Sequence, residues 1–272
     1  ASFQTGFRNP TNQDQYIDLI VKANTRLIAS LPAMLDKYDL RTNPGYTYTS
    51  IKAGAPQLYN FTDLKPESVQ AYELGYKGLL TDRLLVDVSG YYNSYKDFIS
   101  QLIVIQPGAT SVSDPLGIAS GKTSITYVND PSKVESYGMA LGVDYKVGKF
   151  NLSTNASYNA LRNESTALVS EYNTPKYRFN VGVASREIAK NIGFSTVYRW
   201  QDQYTWSSTF VTGTVPAYGT LDAQVSLKIP AYSSTIKLGS SNLLNQYYTT
   251  SYGNPEVGGM YYVSLVFDQF MR

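Results

Sequence analysis

The 272-residue chain sets 23 Lys and Arg against 21 Asp and Glu, a net charge of +2 that is too balanced for a nucleic-acid footprint. It has no Cys and no His, which excludes thiol nucleophiles, disulfides, the usual zinc sites and every Ser-His-Asp arrangement. Tyr is in excess at 25 residues, and no apolar run approaches the length of a membrane helix, so a soluble protein and a β-barrel both survive this test.

Residues 1–8 alternate like a strand from the first position, without an initiator Met or a signal-peptide pattern. That start is expected to be a cut, a cleavage or a boundary within a larger sheet, because an unpaired edge cannot face lipid. A connection of about residues 9–67 follows, too long to be a bare connector. Within it "SLPAMLDKY" (30–38) predicts a short helix with Ser30 as cap and Pro32 in the first turn.

From residue 68 the period is two. In 69–79, Tyr72, Leu74 and Tyr76 oppose Glu73 and Lys77; in 84–95, Leu84, Val86, Val88 and Tyr92 oppose Asp87, Ser89 and Asn93. In 135–147, Tyr137, Met139, Leu141, Val143, Tyr145 and Val147 share one face. In 149–160, Phe150, Leu152, Thr154, Ala156 and Tyr158 oppose Asn151, Ser153, Asn155, Ser157 and Asn159. Segments 176–186, 191–201, 220–229, 235–241 and 259–268 repeat the pattern. If 84–105 and 122–147 are each one strand, ten strands result. Short turns ("LTDR", "GK", "EIAKN", "PAYSS") then alternate with long connections at about 9–67, 106–121, 163–175, 207–216 and 242–259. This is the rhythm of an outer-membrane barrel, with apolar residues toward lipid and tyrosines at the interfaces. A soluble β-sandwich also alternates, but its strands are shorter and its Greek-key links break the rhythm.

Six stretches resemble, in order, the C-terminal half of TonB-dependent outer-membrane receptors: "TGFRNPT" (5–11), "LKPESVQAYELGYKG" (64–78), "LLVDVSGYYNSYKDFI" (84–99), "VESYGMALGVDYK" (134–146), "NLLNQYY" (242–248) and "VGGMYYVSLVFD" (257–268). The flavour is similar to receptors of Bacteroidota. The resemblance implies an all-β, antiparallel up-and-down transmembrane barrel. Its ten strands would be the last of twenty-two, with residues 1–272 the C-terminal part of one barrel domain. It implies a plug and the preceding strands elsewhere in the receptor, TonB as partner, and outer-membrane lipid around the wall. A surface lipoprotein lid or other outer-membrane subunits are further expected partners. The long loops would be extracellular and the C-terminus periplasmic. The family's terminal aromatic is matched by Phe267 in phase, although "DQFMR" follows and Phe270 is out of phase.

The function expected on this resemblance is import of a nutrient (siderophore, glycan or peptide) by plug rearrangement. The alternatives are a structural or scaffold subunit of an outer-membrane complex and a standalone ten-stranded channel. The chain is read as no enzyme and as needing no cofactor or metal. Arg8, Asn9, Gln13 and Tyr16, directly after the first strand, are lumen-mouth candidates, with Arg8 also suited to a plug or wall carboxylate. Asn9, Asn12, Asp14 and Asp18 are oxygen-rich but lack calcium-loop spacing. Tyr204, Trp206, Tyr247, Tyr248 and Tyr252 could stack on substrate or form the outer aromatic girdle. Glu73 and Lys77, about 13 Å apart on an ideal strand, are expected to line the barrel without pairing.

Overall fold

The computed structural model describes residues 1–163, 172–208 and 211–267. The predicted features "DQFMR" and Phe270 lie outside them. In chain order the elements are β1 (Ser2–Arg8), α1 (Asn12–Tyr16), β2 (Asp18–Lys22), β3 (Thr25–Ile28), α2 (Pro32–Lys37), β4 (Tyr46–Thr47) and α3 (Tyr48–Lys52). There follow β5 (Glu67–Thr81), β6 (Leu84–Lys96), β7 (Phe98–Gln106), β8 (Lys122–Asp130), β9 (Val134–Val147) and β10 (Phe150–Asn163). The chain continues with β11 (Tyr177–Ala189), β12 (Ile192–Gln201), β13 (Tyr204–Ser207), β14 (Thr212–Val215), β15 (Tyr218–Ile229), β16 (Ser234–Ser241) and β17 (Met260–Phe267).

Ten strands form one antiparallel sheet in the order β1-β5-β6-β9-β10-β11-β12-β15-β16-β17. The register puts like against like. Val86 faces Val143 and Val88 faces Leu141 across β6 and β9; Leu141 then faces Ala156, and Val143 faces Thr154, on β10. On the other face Asn155 lies opposite Asn180, and Lys77 opposite Asp87. Each strand thus keeps one apolar and one polar side across the whole sheet. Its four tight turns all lie at one end: 82–83, 148–149, 190–191 and 230–233. Gly148 and Asn191 take the positive φ (54° and 67°) that two-residue hairpins need. The predicted turn "EIAKN" shortens because β11 carries a bulge between Ser185 and Ala189 and runs further than its alternation suggests.

Among the described residues the apolar face is left largely uncovered. Leu74 is 69% exposed and Val263 74%. Aromatic rings bracket this face. Near the long-connection end a row steps across strands: Phe3 to Tyr72 at 5.0 Å, Tyr72 to Tyr92 at 6.2 Å, Tyr137 to Tyr158 at 6.2 Å and Tyr158 to Tyr177 at 5.2 Å. Toward the tight turns Phe150 meets Phe194 edge-on at 6.3 Å. Phe150 and Tyr158 are eight residues apart on β10, about 26 Å along the strand and about 20 Å along a membrane normal at a tilt of about 40°. That is close to the apolar band of an outer-membrane barrel.

The buried core lies elsewhere. A second sheet, β2-β3-β8-β7-β4, sits at the long-connection end and contains one parallel pair, β3 with β8. Its core is Ile28, Leu35, Leu40, Leu102, Val104 and Val128, with Tyr38, Tyr59 and Phe61 packed against it. The expectation of single strands over 84–105 and 122–147 is therefore corrected. Asp97 takes φ 55° and turns the chain out of the barrel sheet, and residues 131–133, beginning with Pro131, interrupt the return. The predicted helix is present but shorter. It begins at Pro32 with Leu31 as its cap residue and no side-chain cap bond. Ser30 instead joins β8: its Oγ lies 2.8 Å from Thr126 Oγ1 and accepts from Tyr127 N at 3.2 Å.

Two side chains lock the sheets together. Glu67, at the start of β5, accepts from Arg8 at 2.9 Å and from the Ile99 backbone N–H at 2.9 Å. Asn129 accepts from Lys65 N at 2.7 Å and donates to the carbonyls of Lys65 (2.9 Å) and Asp97 (2.7 Å).

Because Leu102 is fully buried in the second sheet, Leu102→Ala is expected to cost about 2–5 kcal/mol there. Hydrogen exchange should show lost protection in β3, β7 and β8 with β10 and β11 unchanged; uniform loss would show that the two sheets do not unfold separately.

Candidate functional site

The polar face of the ten-stranded sheet is built from Asn, Ser, Thr and Gln with scattered charges, two pairs of which close across strands. Lys77 meets Asp87 at 2.9 Å, Arg199 Nε meets Asp222 at 2.8 Å, and Asn180 donates to Asn155 at 2.7 Å. Asp222 also accepts from the Asn242 backbone at 2.9 Å, tying the loop after β16 to the wall. Lys77 pairs across strands with Asp87, while no contact joins it to Glu73 among the described residues. A surface of this kind is wet and weakly charged, and it sets the barrel interior.

At the long-connection end this face gathers phenols around one guanidinium. Tyr91 donates to Asn159 Oδ1 at 2.9 Å, and Tyr172, from the loop after β10, hydrogen-bonds Tyr91. Tyr218, first in β15, stacks on Tyr248 with centroids 4.2 Å apart and planes at 25°. Arg178, second in β11, shares the face with Ser157 and lies opposite Gln201. It is exposed, its charge reaches Tyr172, Tyr204 and Tyr218, and it makes no ion pair among the described residues. Burial pushes the Tyr172 phenol well above its ordinary pKa, helped by its bond to Tyr91, and burial raises Tyr204 as well. Both phenols therefore stay neutral and keep their O–H donors. An exposed guanidinium on the same rim as three neutral phenols suits a ligand with flat or sugar-like faces and an anionic group.

The β13–β14 hairpin is knitted to its neighbours at this mouth. Tyr204 donates to the Thr250 carbonyl at 2.6 Å, and Asn173 bonds both the N–H and C=O of Ser207. Gly213, opposite Trp206, has no room for a Cβ because the Tyr252 ring occupies the place where that atom would sit. Tyr204 and Tyr252 thus bring the β13–β14 hairpin, which carries Trp206, against the loop after β16, while Tyr248 from that loop stacks on Tyr218. Tyr247 is 62% exposed and lies beside Gly258.

The other predicted group forms a separate cluster. Arg8 reaches Glu67 at 2.9 Å and Asp14 at 3.9 Å. Gln13 Nε2 donates to Tyr127 Oη at 2.9 Å, while Asn9 and Tyr16 are exposed. Asp14 caps α1, accepting from Thr11 N at 2.7 Å. Asp18 turns to Arg26 (3.1 Å), Lys37 (2.8 Å) and the Tyr38 hydroxyl (2.8 Å). These carboxylates serve different partners and do not converge. Alternation puts Arg178 on the polar face, but its place among phenols depends on loops that fold back over the sheet, which sequence spacing does not show.

A family model described as TonB dependent receptor-like, beta-barrel, matches residues 1–245. Among solved structures, the chain is similar to the FrpB iron transporter from Neisseria meningitidis at 15% identity and TM-score 0.54, over 75% of this chain and 32% of that one. It is similar to the copper transporter OprC at 16% identity and TM-score 0.54, over 77% of this chain and 32% of that one. The ferripyoverdine receptor of the outer membrane of Pseudomonas aeruginosa matches at 14% identity and TM-score 0.51, over 75% and 28%. The chain thus spans about a third of the length of these structures, all of them transporters or receptors. No curated protein matches it.

The Asp18 clasp gives a pH signature. Hydrogen bonds from Lys37 and Tyr38 hold the Asp18 carboxyl below its ordinary pKa, and Asp18 raises Lys37 above its own. The carboxylate contribution is full above the ordinary value near pH 4 and is lost as pH falls through the lowered one. The ammonium contribution is full below the ordinary Lys value and is lost as pH rises through the raised one. Limited proteolysis of β2 and α2 is therefore expected to be constant from about pH 5 to 9 and to rise below about pH 4. Asp18→Asn should abolish that acid step.

Proposed function

The chain belongs to the TonB-dependent receptor β-barrel family, and we propose that it forms the C-terminal part of an outer-membrane receptor wall that imports a nutrient by plug rearrangement. The family is one of outer-membrane barrels. The observation that carries the reading is the inversion of burial: the apolar face of ten strands is uncovered while the opposite face is polar. Lipid is the solvent that suits the first and a water-filled lumen the second.

On this reading the tight turns face the periplasm and the long connections, the second sheet and the Arg178 mouth face outward. Residues 1–272 act as one part of a single barrel domain. The two sheet edges, β1 and β17, are closed by further strands of the same receptor, because open edges in hydrocarbon leave backbone groups unsatisfied. A plug fills the lumen and takes energy from TonB. The ligand is a siderophore, glycan or peptide that brings an anionic group to Arg178 and flat faces to Tyr172, Tyr204, Tyr218 and Tyr248. Arg8 and Gln13 hold the second sheet over the wall, and Asn9, Tyr16 and Tyr247 meet whatever arrives from outside.

A scaffold role draws support from one feature. The edge strand β2 exposes Leu19 and Ile20, at 44% and 60%, on a sheet with its own core. Exposed apolar edges of this kind recruit protein partners, such as a surface lipoprotein lid or another outer-membrane subunit.

Because this stretch has no Cys, single cysteines report orientation cleanly. In the full-length receptor, Val112→Cys in the β7–β8 loop should react with an impermeant maleimide on intact cells. Lys149→Cys in a tight turn should react only after permeabilisation, and the reverse pattern would overturn the orientation. Import is checked by solute depletion from defined medium. One solute should vanish in a receptor- and proton-motive-force-dependent way, with Arg178→Ala raising its half-saturation about tenfold. A receptor without any energy-dependent solute would favour the scaffold.

A further inference from the structure

One row of the polar face is left open where the row beneath it is closed. Ser157, Arg178, Gln201 and Tyr218 lie directly opposite one another in succession across β10, β11, β12 and β15, so all four share that face. In the row below, Asn155, Asn180, Arg199 and Thr220 stand in the same succession. There Asn180 donates to Asn155 at 2.7 Å, and Arg199 Nε pairs with Asp222 at 2.8 Å. In the upper row the side chains of Ser157, Arg178 and Gln201 have no hydrogen-bond or ion-pair partner among the described residues. Tyr218 adds a phenol at one end, its ring stacked on Tyr248 at 4.2 Å. At the other end Tyr91 donates to Asn159, two residues along β10 from Ser157, and Tyr172 bonds Tyr91.

We infer that this row binds the uronate residues of an acidic oligosaccharide lying across the four strands. The inference deepens the import reading above and rests on it for the row's place at an outward mouth. Strands are spaced about 4.8 Å apart, so the row is about 14 Å long and its side chains repeat at close to the length of one sugar residue. A chain of sugars therefore meets the row one side chain at a time, which a compact metal chelate does not. Chemistry selects within that class. A guanidinium carries N–H donors alone, in a planar fork that matches a carboxylate, and Arg178 engages none of them among the described residues. Ser157 and Gln201, one on each side, both donate and accept, which suits the hydroxyls and ring oxygens of neighbouring sugars. Donors outnumber acceptors along the row. An acceptor-rich uronate chain satisfies it better than a peptide, which brings an N–H for nearly every carbonyl. The phenols at the two ends give ring faces on which sugars stack. Arg199 is a diagonal neighbour of Arg178, but Asp222 offsets its charge, so Arg178 is the cation that the carboxylate meets.

The test uses the full-length receptor in mild detergent, exposed to an immobilised panel of uronate-bearing, sulfated and neutral oligosaccharides. Retention should be confined to the uronate-bearing chains. Affinity for the tightest of them, measured by calorimetry, should fall about tenfold or more in Arg178→Ala. It should fall by less in Arg178→Lys, which keeps the charge without the fork, and about threefold in Gln201→Ala. Methyl esterification of the glycan should cost wild type the same factor as Arg178→Ala, and cost that variant nothing further. Asn155→Ser, in the closed row, should bind as wild type does. Retention of neutral or sulfated chains at equal affinity, retention of none, or an unchanged affinity in folded Arg178→Ala would overturn the inference. Binding in detergent needs no energy, so the two readings fail separately. A receptor that binds uronates without importing them contradicts import and leaves the row's ligand standing. One that imports a solute and ignores the panel keeps import and removes the uronate site.

Discussion

Hydrocarbon offers no water to a backbone N–H or C=O, so each such group inside a bilayer must find its partner within the protein. The ten-stranded ladder meets that demand, and its register then decides almost everything else. In an antiparallel pair, residues directly opposite share a face, and a slip of one would turn every Val and Leu toward the lumen. The pairings of Val88 with Leu141 and of Asn155 with Asn180 are two readings of the same register. Turn chemistry supports it at the tight end, where Gly148 and Asn191 hold left-handed backbone that other residues adopt reluctantly.

A wall solvated by lipid on one side and water on the other has little need of an interior, and the buried hydrophobic core has moved to the five-stranded sheet. That sheet behaves as an ordinary small domain, with aliphatic side chains closed under Tyr59 and Phe61. Glu67 and Asn129 fix it to the wall through bonds to both parts. Rigidity at this junction matters for any ligand-facing role, because a mouth that sways cannot hold phenols and a guanidinium in one arrangement. The Asp18 clasp on α2 and the Asn173–Ser207 pair on the β13–β14 hairpin serve the same end at two places on the rim.

Much of the barrel sheet was legible in the sequence, because period-two alternation records which solvent each face meets. Leu152, Thr154, Ala156 and Tyr158 read as one face and are one face. The second sheet was harder to read. β7 continues the even-numbered alternation of β6 through Phe98, Leu102 and Val104 without a seam, and the positive φ at Asp97 that separates them has only a weak residue preference behind it. β2 and β3 are five and four residues long, and β3 finds its parallel partner β8 about a hundred residues away. Ser30 looked like a helix cap because Pro32 follows it, yet a tertiary contact with Thr126 claimed its hydroxyl. The mouth was half legible. Tyr204 and Tyr248 stood out as loop aromatics, whereas Tyr172, Arg178 and Tyr218 acquire meaning only when three loops fold onto the polar face.

The central claim is that the two faces of this sheet meet different solvents. It is tested most directly by spin labels on single cysteines at Leu141 and Asn155, neighbouring positions of β9 and β10 on opposite faces. In the full-length receptor in bilayers, the label at 141 should collide with dissolved oxygen and be shielded from a water-soluble nickel chelate. The label at 155 should show the opposite preference. Chelate access at both positions would contradict a lipid-facing wall.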